Sequence, residues 1–207
     1  MHVATLMSEA GVSELDEEVL VAQSQEGDLQ AFNTIVQRYE RQVYNLALRM
    51  LGDQALAEDA TQDAFISAFN HIKGFRGGSL KAWLLKTVAN RCRDLLRSAY
   101  RRHNISLEGL TLNAEPSFPS REESPEEYTM RRELGQEIQR GLDTLPADQR
   151  LALVLVDIQG LSYEEAAESA GASLGTIKSR LSRGRAHLRD YLRTHGELLP
   201  EQFRRRV

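Results

Sequence analysis

The chain has 207 residues, 41% hydrophobic but only 6% aromatic, with a formal net charge of −4. That length admits one domain or two small ones, with lean cores built on Leu and Ala. No apolar run approaches the ~20 residues of a membrane span, and Met1 to Ala10 lacks the basic start and apolar core of a signal peptide. Cys92 is the only cysteine, which excludes an internal disulfide. His2, His71, His103, His187 and His195 are scattered without metal-ligand spacing, so no metal and no cofactor are expected. A soluble, reduced, cytoplasmic protein is the expectation.

Apolar residues recur with the helical period almost throughout and no alternating strand is evident, so the expected fold class is all-α. Ser13 with Asp16 resembles a capping box opening a first helix that stops before Gly27. Asp28 is placed to cap a second helix, AFNTIVQRYERQVYNLALRML, stopped by Gly52. Asp53 starts a third, ALAEDATQDAFISAFNHI. The KGFRGGS segment is a loop, since Gly74, Gly77 and Gly78 break any helix, and Ser79 caps a fourth helix reaching about Arg102. From His103 to Met130 the period dissolves into an acidic stretch holding Pro116, Pro119 and Pro125. It buries too little apolar surface to offset its ordering entropy and reads as an extended linker. Helix resumes near Arg131 and ends around Leu145; Pro146 suits the first turn of the next helix, which Gly160 closes. Ser162 and Glu165 form a second capping box, Gly171 permits a tight turn, and Ser173 caps a long last helix that fades near His195. The expected organisation is two small helical domains, 14–102 and 131–194, joined by the acidic linker 103–130 and followed by a basic tail, 195–207, containing Arg204, Arg205 and Arg206.

Charge is segregated along the chain. Lys73 to Arg102 sets nine Lys or Arg against Asp94, a charge of +8. From Ser173 to the end, nine stand against Asp190, Glu197 and Glu201, giving +6 and leaving −18 on the remaining residues. Such segregation suits a polyanion held at two places; two solvated helix faces are the plainer alternative.

The segment LSYEEAAESAGASLGTIKSRLSRGRAHLR has the pattern of a helix-turn-helix. Leu174, Ile177, Leu181, Leu188 and Leu192 share one face of its second helix and should pack inward. Thr176, Ser179, Ser182 and Arg183 point away, flanked by Lys178 and Arg180. Short polar side chains let a helix approach a DNA major groove, and Arg can make bidentate contacts to guanine. A core-only reading explains the Leu stripe and leaves the outward set without a task. In the fourth helix, Leu84, Val88, Cys92 and Leu95 oppose Lys86, Asn90, Arg93, Arg97 and Arg101. Cations can track a phosphate backbone, and Asn90 can hydrogen-bond the edge of an unpaired base. Arg76, in the preceding loop, is well placed to meet nucleic acid, while Trp83 serves equally as core or as a stacking platform. The third helix carries Glu58, Asp59, Gln62 and Asp63 within two turns and no His or Cys beside them, which fits a solvated face or a docking surface for a basic helix. No phosphate loop, nucleophile elbow or HExxH occurs, so no catalytic residue is expected and the chain does not read as an enzyme.

Together these segments resemble a bacterial RNA polymerase sigma factor of the extracytoplasmic-function (ECF) group. GDLQAFNTIVQRYERQVYNLALRMLGD looks like the start of sigma region 2, ALAEDATQDAFISAFNHIKGF like its polymerase-binding helix, and FRGGSLKAWLLKTVANRCRDLLR like its promoter-melting segment. LPADQRLALVLVDIQGLSYEEAAESAGASLGTIKSRLSRGRAHLR is similar to region 4, and the resemblance covers about Leu15 to Leu192. It implies that Glu58, Asp59, Gln62 and Asp63 face the clamp helices of core RNA polymerase. Asn90, with the loop from Gly74 to Ser79, would capture a base of the single-stranded minus-10 element, while Arg76, Lys86, Arg93 and Arg97 hold that strand's backbone. Thr176, Lys178, Ser179, Arg180, Ser182 and Arg183 would read the minus-35 element as duplex. The resemblance also implies a linker that threads the polymerase channel, an anti-sigma factor as a further partner, and no membrane insertion. The loop departs from the family in reading GGSLK, where relatives often carry an acidic residue after the glycine. A helix-turn-helix regulator that acts without replacing a sigma subunit is the rival reading, but it leaves the basic fourth helix without a task. A helical interaction module would leave both basic faces idle.

Overall fold

The structure, a computed structural model, describes residues 17–102 and 125–195, with side chains for 17–98 and 132–195. The capping box expected at Ser13 and Asp16, the linker over 103–124 and the tail arginines lie outside the described residues.

Helix α1 (17–26) leads into α2 (Leu29–Leu51), α3 (Gln54–His71) and α4 (Leu80–Arg102). Asp28 caps α2 by accepting the Gln30 and Ala31 amides, and Asp53 caps α3 by accepting that of Leu56. Gly52 ends α2 at φ 70°, a left-handed conformation that costs a glycine little. The α3 face toward the core is a stripe of Ala57, Ala60, Ala64 and Ala68, all buried. Methyl-sized side chains let α3 lie close to α2 and α4, so burial there comes from backbone proximity more than from bulk. Larger groups fill the layer between: Ile35, Leu46, Met50, Leu85 and Val88 are buried, and Phe32 meets Phe69 edge-on at 5.0 Å. A 3-10 turn (Ile72–Gly74) follows α3, and the Gln25 amide of α1 donates to the Ile72 and Phe75 carbonyls at 3.0 and 2.9 Å. The first helix thus pins the loop that leads into α4.

The second half comprises α5 (Pro125–Asp143), α6 (Ala147–Leu153), α7 (Tyr163–Ala170) and α8 (Leu174–His195). Helix α5 begins six residues before the expected resumption at Arg131, with proline at a first-turn position where its missing N–H is harmless. Pro146 sits just outside α6, at its N-cap. Helix α6 widens into a π turn (Val154–Ile158) before Gly160, a detail no periodicity announced. Ser162 and Glu165 make the expected reciprocal capping box, and Gly171 turns the chain at φ 60° into α8. Two glycines mark close crossings. A Cβ on Gly141 would stand 2.6 Å from Leu188 Cδ1, and one on Gly184 would stand 3.2 Å from the Gln149 carbonyl, so α5 and α6 both press on α8.

The two halves share one apolar core and a polar seam. Arg150, buried, donates to the Met50 carbonyl of α2 at 2.7 Å and to the Asp143 carbonyl at 2.9 Å, and pairs with the Asp143 carboxylate at 3.0 Å. Burial lowers the proton affinity of Arg150 and raises that of Asp143, an opposition that mutual attraction only partly offsets. Gln159 donates its amide to the Gln42 carbonyl at 3.1 Å, while its own carbonyl accepts Lys81 Nζ at 2.5 Å. Helix α7 lies on α4, where Ser169 Oγ donates to the Ala82 carbonyl at 3.0 Å. The sequence reading of two tethered units did not anticipate this seam.

Candidate nucleic-acid interface

Helix α4 begins where Gly77 and Gly78, at φ 97° and 90°, reverse the loop and Ser79 Oγ accepts the Ala82 amide at 3.1 Å. Its inner face buries Leu84, Val88 and Cys92, as the period predicted. Burial pushes the Cys92 thiol up to about 12, so it stays protonated and inert. On the outer face Asn90 is exposed at the mouth of an open cleft of about 400 Å³ between α3 and α4. Trp83, Lys86 and His71 line the same cleft. Trp83 is half-buried, with its ring centre 5.5 Å from that of Phe75, and it also lines the cleft. His71 was not singled out in the sequence; nothing in its spacing marks it, because it joins the cleft only through the α3–α4 crossing.

The cations of α4 are engaged. Arg93 donates to the Asn90 side chain at 3.1 Å and to the Ala170 carbonyl at 2.6 Å, and burial lowers its proton affinity. Lys86 stands 3.9 Å from Glu168, while Arg76 and Arg97 are exposed. The side chain of Arg101 lies outside the described residues.

On α8, Ile177 and Leu181 are buried and Leu188 is partly so, whereas Leu174, at the helix start, is 36% exposed. Lys178, Ser179, Ser182 and Arg183 are exposed, and Thr176 is half-buried. Lys178 Nζ lies 5.9 Å from the Tyr163 ring centre, and Arg183 folds back to Ser179 Oγ at 3.2 Å. Arg180 differs from these: it is half-buried and paired with Asp148 of α6 at 2.5 Å. Arg185 makes a two-pronged contact to Asp157 on the π turn, at 2.9 and 2.5 Å, which raises its already high proton affinity.

On α3, Glu58, Asp59 and Gln62 are exposed, but Asp63 is half-buried and bound to Arg91 at 2.7 Å. Two apolar side chains share that surface: Leu56, and Ile66 at 62% exposure. The sequence reading missed Ile66, although it falls outside the Ala stripe and a helical wheel reveals it. Among the described residues no group of three or more His, Cys, Asp or Glu is gathered as a metal site, and no helix is long and apolar enough to cross a membrane.

The chain matches Sigma-70 region 2 over residues 35–102 and Sigma-70 region 4 over residues 135–188. It belongs to the ECF sigma factors of RNA polymerase. It is 37% identical over 177 residues to the ECF RNA polymerase sigma factor SigE of Mycolicibacterium smegmatis, covering 86% of this chain and 67% of that protein. It is 36% identical over 178 residues to the ECF RNA polymerase sigma-E factor of Escherichia coli K12, covering 83% and 92%. Among solved structures, CnrH in complex with the cytosolic domain of CnrY aligns at TM-score 0.64 and 26% identity over 86% of this chain and 97% of that one. The sigma factor RpoE of Bartonella quintana, solved with the anti-sigma factor NepR, aligns at TM-score 0.64 and 30% identity over 79% and 98%. A sigma factor of this family binds core RNA polymerase and promoter DNA.

Proposed function

We propose a division of labour within this sigma factor, with region 2 spanning 14–102, an acidic linker 103–130 whose last residues, 125–130, are the first turns of α5, and region 4 spanning 131–194. Asn90, with the Gly74–Ser79 loop, takes a base extruded from the minus-10 element, and Arg76, Lys86, Arg93 and Arg97 hold the strand's phosphates. Lys178, Ser179, Ser182 and Arg183 read the minus-35 duplex, with Thr176 beside them and a smaller share for Arg180. Glu58, Asp59, Gln62 and Asp63 meet polymerase, and the exposed Ile66 adds an apolar anchor among them. The protein carries out no catalytic step of its own and acts in the cytoplasm. An anti-sigma factor is a fitting partner, since CnrH and the Bartonella RpoE were each solved with a bound partner chain.

The observation that supports this most is the placement of Asn90. It is a neutral donor and acceptor at the rim of a cleft with an aromatic wall, and cations stand one turn to either side. Base capture needs that combination, because extrusion costs a few kcal/mol and must be offset by hydrogen bonds and stacking. Run-off transcription with bacterial core polymerase on genomic fragments tests the reading. Asn90→Ala should leave closed complexes intact and reduce permanganate-reactive open complexes. If opening is unchanged, the base is held elsewhere.

A further inference from the structure

The glycine-rich loop between α3 and α4 is held at its entry from a helix distant in sequence. Gln25, half-buried in the last turn of α1, donates its side-chain amide to the Ile72 carbonyl at 3.0 Å and to the Phe75 carbonyl at 2.9 Å. Both partners can only accept, which fixes the amide with its nitrogen toward the loop. A pinned carbonyl also pins its peptide plane, so the Phe75 contact sets the direction in which Arg76 leaves. The Phe75 ring lies 5.5 Å from that of Trp83, which with Asn90 lines the cleft. Downstream, Arg76 to Ser79 are exposed, and a Cβ built on Gly77 or Gly78 would meet nothing within 4 Å. Glycine loses more conformational freedom than any other residue when it is ordered, so a hold on the loop entry matters most here. Helix α1 is itself seated, with Val21 and Ser24 buried and with the Tyr39 hydroxyl and Arg38 both reaching Glu17.

We infer that Gln25 is a positioning residue for base capture: it acts through the loop backbone, without touching DNA, and holds the loop in the shape that receives the extruded base. The inference rests on the reading of Asn90 and this loop as the capture site. Capturing a base orders the loop, and that ordering entropy opposes binding. A loop held at its entry before the strand arrives has less freedom to lose, so the same contacts to the base yield a tighter complex. Gln25 suits this task because its two bonds bracket the turn from Ile72 to Phe75, and Gln25 itself is not among the residues that line the cleft.

The test uses full-length variants assembled with bacterial core polymerase, on a promoter recovered by run-off transcription. Abasic sites placed in turn along its minus-10 non-template strand mark the captured base as the position that costs the wild type most. Gln25→Met keeps the length of the side chain and loses both donors, while Gln25→Glu keeps its shape and turns an oxygen toward the two carbonyls. Circular dichroism checks that each variant retains its helices. Closed complexes, read by gel shift in the cold, should be unchanged. The equilibrium constant for opening, read from permanganate reactivity, should fall about tenfold for Gln25→Met, the worth of two neutral hydrogen bonds, and further for Gln25→Glu. On the template abasic at the captured position, wild type and Gln25→Met should open equally, because no base is left to receive. A general weakening of region 2 would not produce that equality. An equal loss on both templates overturns the inference, as does unchanged opening by Gln25→Met or near-wild-type opening by Gln25→Glu; base capture then stands without it. If no abasic position costs the wild type more than its neighbours, base capture itself falls and the inference with it.

Discussion

Helices α4 and α8 carry similar charge in the sequence yet differ in how that charge is used. On α4, Lys86, Arg91 and Arg93 face Glu168, Asp63 and the Ala170 carbonyl, so three cations are held by other helices. On α8, only the flanking residues are held this way: Arg180 goes to Asp148 and Arg185 to Asp157, both in the α6 segment. The centre of the α8 face, Lys178 to Arg183 apart from Arg180 and buried Leu181, stays exposed. The charged residues of a basic helix therefore fall into two populations, one bracing the fold and one exposed. Their division follows from which acids the neighbouring helices bring within reach.

The largest effect expected belongs to a cation of the seam itself. Arg150→Ala should cost about 3 kcal/mol in urea denaturation, since it strands the Asp143 carboxylate and two carbonyls inside the structure. A loss below half of that would mean that water replaces the guanidinium. Next, Arg183→Ala should cost about 1–3 kcal/mol of minus-35 recognition, read by competition between promoter duplexes bound to holoenzyme, with thermal stability unchanged. Its loss of discrimination should be confined to the upstream element. Duplex binding by region 4 should also weaken by about 0.9 log units per log unit of salt for each phosphate neutralised.

Smaller effects sharpen the contrast between bracing and binding. Ser162→Ala should lower stability by about 1 kcal/mol by removing the α7 cap. Its partner Glu165 accepts the Ser162 amide, which holds that carboxyl below its ordinary value of 4.5. A depressed carboxyl contributes stability in full above the unfolded value, and the contribution fades as pH falls through the lower folded value. The melting-temperature gap between the wild type and Glu165→Ala should therefore be widest near neutrality and close in acid below about pH 4. Smallest of all, Arg180→Ala should change stability by under ~1 kcal/mol, because its ion pair with Asp148 is partly solvated, and should harm recognition less than Arg183→Ala. If Arg180→Ala proves the more damaging to recognition, the sorting into braces and readers is wrong.

The caps and stops show how much of the fold was legible along the chain. Asp28, Gly52, Asp53, Ser79, the Ser162 and Glu165 pair, Gly171 and Ser173 all stand where helix ends occur. Each acts on backbone groups within a few residues, so local sequence suffices to place it. The same holds for the Leu84, Val88 and Cys92 face, since helical periodicity alone turns it inward. The π turn was invisible because it adds no distinctive residue, only an altered hydrogen-bond reach through Val154–Ile158. Asp63 and Arg180 read as free charges because their partners, Arg91 and Asp148, lie 28 and 32 residues away and nothing in the periodicity links them.

By itself the sequence determined the helices, their inward faces, the helix-turn-helix and the separation of charge into two basic segments, all of which depend on interactions within a turn or two. Tertiary structure alone decided which charges remain available, that Asn90 and His71 border one cleft, and that α7 rests on α4. Those outcomes depend on the close approach of helices far apart in the chain. Approach distance is set by small residues such as the α3 alanines, Gly141 and Gly184, whose pattern records that something packs there but not what.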